Sequence, residues 1–345
     1  MSLLEVTDLK VSFNTSDGVV QAVRGMTFSI DRGKTLGIVG ESGSGKSVST
    51  QTLMGLTPGA KVSGQALFEG QDLLSMTPDQ LRRIRGPQIS MIFQDPLSSL
   101  HPLYKVGWQI IEMIRTHEPN ISKADARKRA VELLGTVGIP QPDRRVDDFP
   151  HQFSGGMRQR AMIAMALALN PKLIIADEPT TALDATVQAQ ILDLMLRLQR
   201  EFDTALIMIT HDLGVIADLA DDVLVMYAGK PVEHTDRRSL YYRSHHPYTA
   251  GLLRSIPSGA GGRGGRLIPI PGQPPSLINP PSGCAFHPRC PYVMDTCLVN
   301  QPPLREVAAG HGSACWLPEE ALGLGPEAEE LRANAVAEGR TEVAS

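Results

Sequence analysis

The octet GESGSGKS at residues 40–47 fits the spacing G-x-x-x-x-G-K-[S/T] throughout. Those residue types at that spacing can hold a triphosphate. Gly43 and Gly45 let successive backbone N–H groups turn inward around an anion, and a helix starting behind them adds its partial positive end. The Lys46 ammonium can reach the outer phosphates, and the Ser47 hydroxyl can ligate Mg2+. A metal held there needs an acidic partner at the end of a neighbouring strand. The run LIIADEP (173–179) supplies Asp177 for the metal's water shell, with Glu178 beside it.

A second group of reactive residues lies far along the chain. The four cysteines are Cys284, Cys290, Cys297 and Cys315, spaced C-x5-C-x6-C-x17-C, and none precedes residue 284. In a chain that reads as intracellular, where thiols stay reduced, crowded cysteines suggest a metal site before disulfides. The spacing contains no C-x2-C pair, so it fits neither a zinc ribbon nor the bacterial ferredoxin run. Zinc, iron–sulfur and scattered free thiols all remain open on spacing alone.

These residues need elements to position them. Residues 2–13 read as an alternating strand, and TLGIVG (35–40) as a short apolar strand ending in glycine. A helix is expected from Lys46 toward Gly55. The runs KLIIAD (172–177), ALIMIT (205–210) and VLVMYAG (223–229) are continuously apolar, which suits strands covered on both faces. Strand, glycine-rich turn and helix in that order predict an α/β unit with a parallel sheet. Between them, residues 97–170 read as a helix-rich insert, with one helix capped by Ser122 and Asp125 and ending near Gly138 and Pro140. Beyond residue 255 the texture changes. PSGAGGRGGR (257–266) reads as a flexible hinge, PIPGQPPSLINPPSG (269–283) as an extended appendage burying little apolar surface, and the Ala/Glu-rich tail 318–345 as disordered.

Composition narrows the class. The 345 residues are 42% hydrophobic and 20% charged, ordinary for a globular chain with a sizeable core. A net charge of −4 gives no global field toward nucleic acid or an anionic bilayer. No secretory signal is visible, and the longest apolar run, AMIAMALAL (161–169), is about half of the ~20 residues a membrane span needs. The expectation is a soluble chain that meets a membrane only through partners.

With these residues in view, FSGGMRQR (153–160) resembles the signature loop of ATP-binding cassette (ABC) ATPases, lying between the P-loop and Asp177 as that family requires. Gln94 in MIFQDP fits the Q-loop, TALD (181–184) the D-loop, and His211 in ITHD the switch histidine. The resemblance covers about residues 2–255 and departs from the commonest signature at Met157. It implies a P-loop NTPase ABC cassette: a RecA-like core, an antiparallel β subdomain and a helical subdomain at about 97–170. A small Cys-rich C-terminal extension at 256–317 follows. The resemblance further implies ATP bound by Phe13, Ser42, Gly43, Ser44, Gly45, Lys46, Ser47, Val48, Gln94, Asp177 and Asp184. For Phe13, stacking on adenine and simple core packing are equal alternatives. Mg2+ would be held by Ser47, Gln94 and Asp177. Ser154, Gly155 and Gly156 would reach the ATP of a partner chain. Glu178 would be the general base and His211 would hold the γ-phosphate, with Lys46 and Gln94 completing the catalytic set.

Three longer stretches sharpen the resemblance. MIFQDPLSSLHPLYKVGWQI (91–110), HHPYTAGLL (245–253) and PIPGQPPSLINPPSGCAFHPRCPY (269–292) are similar to the ATPases of oligopeptide and dipeptide importers. Some members hold a [4Fe-4S] cluster on four cysteines here, which implies one on Cys284, Cys290, Cys297 and Cys315, with zinc as the alternative. Such a group would tie together an appendage with little core of its own. The implied partners are a second ATPase chain (by subfamily habit a paralogue), two transmembrane permease subunits and an extracytoplasmic solute-binding protein, with no nucleic acid. The implied location is peripheral, on the cytoplasmic face of the membrane, with the coupling surface near Gln94 to Trp108. The alternatives are the same role for nickel or another small solute, or a soluble non-transport ABC ATPase. The chain lacks the coiled-coil insertion or second cassette those soluble classes have.

Overall fold

Five consecutive buried residues, Thr35–Val39, form the strand that delivers the phosphate-binding octet. The structure is a computed structural model and describes residues 2–181, 183–256, 269–323 and 326–341. Its strands in chain order are β1 (Ser2–Thr15), β2 (Gly18–Asp31), β3 (Thr35–Val39), β4 (Lys61–Phe68), β5 (Gln71–Asp72) and β6 (Ile89–Ile92). Then come β7 (Leu173–Asp177), β8 (Ala205–Thr210), β9 (Asp222–Tyr227), β10 (Lys230–Asp236), β11 (Arg305–Ala308) and β12 (His311–Ser313). The chain forms two compact units. One contains Ile30–Thr35 and Ser75–Ile209, and the other Leu4–Ser29, Leu36–Leu74 and the chain from Thr210 onward.

In the first unit β6, β7 and β8 run parallel, with Ile89 opposite Leu173 and Leu173 opposite Ala205. The residues of β7 and β8 are buried throughout, the reason these runs are continuously apolar. The insert supplies the helices Val106–His117, Lys123–Thr136 and Gly155–Leu167, which bury Ile110, Ile114, Ala130, Leu134, Ala161 and Ile163. The Lys123–Thr136 helix is capped as expected: the Ser122 hydroxyl accepts from the Asp125 amide at 3.0 Å. It stops before Gly138, whose φ of 78° turns the chain out of the helix.

The second unit holds two sheets. A small antiparallel one has the order β2-β1-β4-β5. In the other, β3 pairs parallel with β9, β9 antiparallel with β10, β10 with β12, and β12 with β11.

Two expectations for the C-terminal region are corrected here. The segment after residue 269 has a core of its own, not loop alone. It adds β11 and β12 to a sheet edge and buries Met294, Cys297, Cys315 and Leu317 as one cluster. The tail, expected disordered, contains a helix over Pro326–Thr341. Its alanine, glutamate, leucine and arginine residues are strong helix formers. It is anchored by Arg332, fully buried, which donates to the carbonyls of Ala321 and Gly323 at 3.2 and 2.8 Å. The predicted hinge at 257–266 lies outside the described residues.

Candidate nucleotide site

In the second unit β3 ends at Val39 and the chain turns over Gly40, Gly43 and Gly45, with φ of 155°, 77° and 96°. The turn admits nothing larger at its two ends. A Cβ on Gly40 would stand 2.2 Å from the Met226 carbonyl oxygen, and one on Gly45 2.2 Å from that of Ala22. Gly45 caps the helix Lys46–Leu53 from the left-handed region. Lys46 is 4% exposed and its Nζ donates to the carbonyls of Gly40 and Glu41 at 2.7 and 3.0 Å. The ammonium is thus folded beneath the loop, where phosphate oxygens can compete for its three donors. Ser42 and Gly43 are exposed, Ser44 is buried, and Ser47 and Val48 are half-buried on the first turn. Phe13 is half-buried on β1, and His211 is exposed just ahead of Asp212, which caps the helix Leu213–Leu219.

Glu41, a position the sequence pattern leaves free, is held through both its backbone and its side chain. Its amide donates to Tyr248 Oη at 2.9 Å. Its carboxylate accepts from Arg289 Nη1 and Nη2 at 2.7 and 3.0 Å. Sequence reasoning missed this contact, because nothing local joins residues 248 positions apart.

In the first unit β7 brings Asp177, 4% exposed, to its C-terminal end. Glu178 follows with φ of 47°, a left-handed conformation that costs a non-glycine residue about 1 kcal/mol or more. Its Oε2 accepts from Thr181 Oγ1 at 2.9 Å and from Gln94 Nε2 at 3.3 Å. The structure therefore brings Gln94 and Glu178 together, although they are 84 residues apart. Ser154 caps Gly155–Leu167 and accepts from the Met157 amide at 3.3 Å, with Gly155 exposed. Ser154 and the glycine amides after it sit at a solvent-facing helix N-terminus, suited to an anion offered from outside the chain. Asp184 caps Ala185–Glu201 by accepting from the Val187 amide at 2.9 Å, while Ala182 of the same motif lies outside the described residues.

The four cysteines share one neighbourhood. The Cys284 amide donates to the Cys297 carbonyl at 2.9 Å, and Cys284 packs against the cluster holding Cys297 and Cys315. Burial pushes all four thiols up, Cys290 to about 12, and the other thiols add to the shift at Cys284, Cys290 and Cys315. Yet among the described residues no group of three or more His, Cys, Asp or Glu side chains is gathered to hold a metal ion. The expected [4Fe-4S] or zinc site finds no support in this arrangement.

A P-loop with its lysine tucked beneath it, a carboxylate after a buried strand and a serine-capped glycine pair are the parts of an ATP-binding cassette. Comparison with known proteins agrees. The ABC transporter pattern matches residues 23–181, and the pattern of the oligopeptide/dipeptide transporter C-terminal region matches 232–297. The oligopeptide transport ATP-binding protein OppD of Bacillus subtilis is 55% identical over 318 residues, 91% of this chain and 88% of that one. The chain belongs to the ABC transporter family, in its oligopeptide/dipeptide branch. OppD of Escherichia coli is 51% identical over 322 residues, 93% of this chain and 95% of that one. The dipeptide transport ATP-binding protein DppD of Lactococcus lactis is 50% identical over 317 residues, 91% of this chain and 90% of that one. Among solved structures, a dimeric ATP-binding cassette in a post-hydrolysis state with ADP and Pi aligns with a TM-score of 0.62 at 27% identity, covering 68% of this chain and 99% of that one. The family makes the chain an ATPase of the ATP-binding-cassette type.

Proposed function

We propose that the chain is the ATP-hydrolysing subunit of an ABC importer for oligopeptides or dipeptides. The observation that carries this reading is the P-loop itself: a glycine turn that tolerates no Cβ at either end, closing over a buried Lys46 at a helix N-terminus. In this reading Lys46 and the loop amides bind the phosphates of ATP, and Ser47, Gln94 and Asp177 hold Mg2+. Glu178 takes the proton of the attacking water. Phe13 either stacks on the adenine or packs in the core, His211 holds the γ-phosphate, and Asp184 contributes from the D-loop. Ser154, Gly155 and Gly156 are offered to ATP on a second cassette chain, so ATP binding closes a dimer and hydrolysis opens it.

The name of the C-terminal pattern and the names of the relatives support peptides as the transported class. Two permease subunits, a solute-binding protein and a second cassette chain complete the importer, with this chain peripheral on the cytoplasmic face. The thiols of Cys284, Cys290, Cys297 and Cys315 have the donor chemistry of a thiolate-bound [4Fe-4S] or zinc centre. No step of the ATPase cycle needs such a group. The experiment that tests the function is Mg-ATP binding by the full chain, followed by ATP hydrolysis in the assembled complex with and without peptides. Binding and peptide-stimulated turnover are expected, and a chain without affinity for Mg-ATP would overturn the proposal.

A further inference from the structure

The bidentate pair between Glu41 and Arg289 places an acid inside the phosphate-binding octet and its neutralising partner in the C-terminal segment. Glu41 needs an explanation. A carboxylate two residues past the strand, in a loop whose purpose is to attract a polyanion, raises the electrostatic cost of binding that anion. The carboxylate does not face solvent freely. Both of its oxygens are taken by the Arg289 guanidinium, whose side chain is 4% exposed. A planar fork on a carboxylate fixes position as well as charge, a geometry lysine cannot reproduce.

The guanidinium is itself held from several sides. Its Nε donates to the Pro271 carbonyl at 2.8 Å, and its Nη groups reach the Ile270 carbonyl and Tyr227 Oη at 3.3 Å. Tyr227 closes β9, next to β3 in the sheet, and its ring meets Tyr248 and Phe286 with centroids 4.6 and 5.2 Å apart. Tyr248 in turn accepts from the Glu41 amide. Arg289 therefore stands on a buried aromatic cluster and presents its fork to the acid of the P-loop.

We infer that Arg289 is a positioning residue of the ATP site, neutralising Glu41 and holding its carboxylate off the phosphates. The C-terminal segment would thus act on nucleotide affinity directly. This rests on the P-loop binding ATP, as proposed above.

The test is equilibrium binding of Mg-ATP to the full chain and to three variants, with melting temperature measured alongside. Arg289→Ala leaves the Glu41 charge uncompensated, and the Kd for Mg-ATP is expected to rise about tenfold, more at low salt than at high. The double variant Arg289→Ala with Glu41→Gln removes that charge, and its Kd is expected to return to within about threefold of the parent. A merely structural role would not give that recovery, since the double variant lacks the same hydrogen bonds. Should Arg289→Ala fail to fold, Arg289→Lys keeps the charge without the fork. Its Kd is then expected to stay within about threefold, and a tenfold rise would overturn neutralisation as the mechanism. A folded Arg289→Ala chain binding as tightly as the parent, or a double variant as weak as the single, would overturn the inference. A parent that binds no Mg-ATP would instead sink the ATPase reading beneath it.

Discussion

Glu178 leaves β7 in the left-handed region and is tied at Oε2 by both Thr181 and Gln94. The two donors hold the carboxylate in place just past the end of β7. This geometry separates the roles of two residues. Glu178→Gln preserves shape and the capacity to accept from Thr181, and loses only basicity. It should slow turnover roughly 10²–10⁴-fold with Mg-ATP affinity intact. Lys46→Ala removes the ammonium that now rests on the Gly40 and Glu41 carbonyls, so it should weaken binding itself. Single-turnover hydrolysis beside equilibrium binding reads the two effects apart. Normal turnover in Glu178→Gln would remove it as the base. At this scale the sequence was readable, because phosphate chemistry dictates residue types at short fixed spacings. Glu41 escaped since its partner is distant in the chain and its own position is unconstrained by the motif.

Among elements, a buried polar junction joins β10, the segment before Pro247–Arg254, and β12. Glu233 of β10 is fully buried and accepts from the His245 and His246 amides at 2.6 and 3.1 Å, with His311 Nε2 2.6 Å away. Burial alone would raise its carboxyl, and the hydrogen bonds from His311 and His245 outweigh that and hold it below the ordinary range. His246 is buried beside it and caps the helix Pro247–Arg254, its Nδ1 accepting from the Tyr248 amide at 3.1 Å. Burial lowers His246 to about 4, against the attraction of Glu233 and with help from His245 and Arg332. An unfolded histidine protonates near 6.5, so between about pH 6.5 and 4 the unfolded chain binds the extra proton. Stability should therefore fall as pH drops through that window, by up to roughly 3 kcal/mol from this residue. His246→Asn keeps an acceptor for the Tyr248 amide and removes the titration, so its melting temperature should vary less with pH than the parent's. Equal slopes would refute the assignment. None of this junction was legible from the chain alone. The central strands were, because burial on both faces imposes apolar runs. The C-terminal core draws on pairs such as Phe286 with Tyr227, which no local pattern records. The tail's low apolar content hid a helix anchored by one buried arginine.

Taken whole, the molecule has a net charge of −4 and, among the described residues, no helix long and apolar enough to cross a membrane. The proposed coupling to a permease would need a surface that prefers burial. The expected coupling region beyond Gln94 carries exposed hydrophobic side chains. Leu103 is 77% exposed, and Tyr104 and Trp108 stack at 4.3 Å although each is 45% exposed. Gln109 holds the intervening turn in place, accepting from the His101 amide at 2.9 Å and donating to the His101 and Tyr104 carbonyls at 3.1 and 3.0 Å. An ordered, solvent-facing aromatic pair needs no rearrangement to bind, and aromatic anchors dominate interface energies. Trp108 lies apart from the P-loop and from Glu178 in the chain and takes no part in the proposed chemistry. Trp108→Ala should leave Mg-ATP binding and basal hydrolysis of the isolated chain unchanged. In the assembled importer it should reduce peptide-stimulated ATPase activity at least about tenfold, as expected when an interface anchor of 2 kcal/mol or so is removed. Stimulation equal to the parent's would place the permease contact elsewhere on the molecule. A matching loss of basal hydrolysis would show instead that the aromatic pair supports the cassette's own fold.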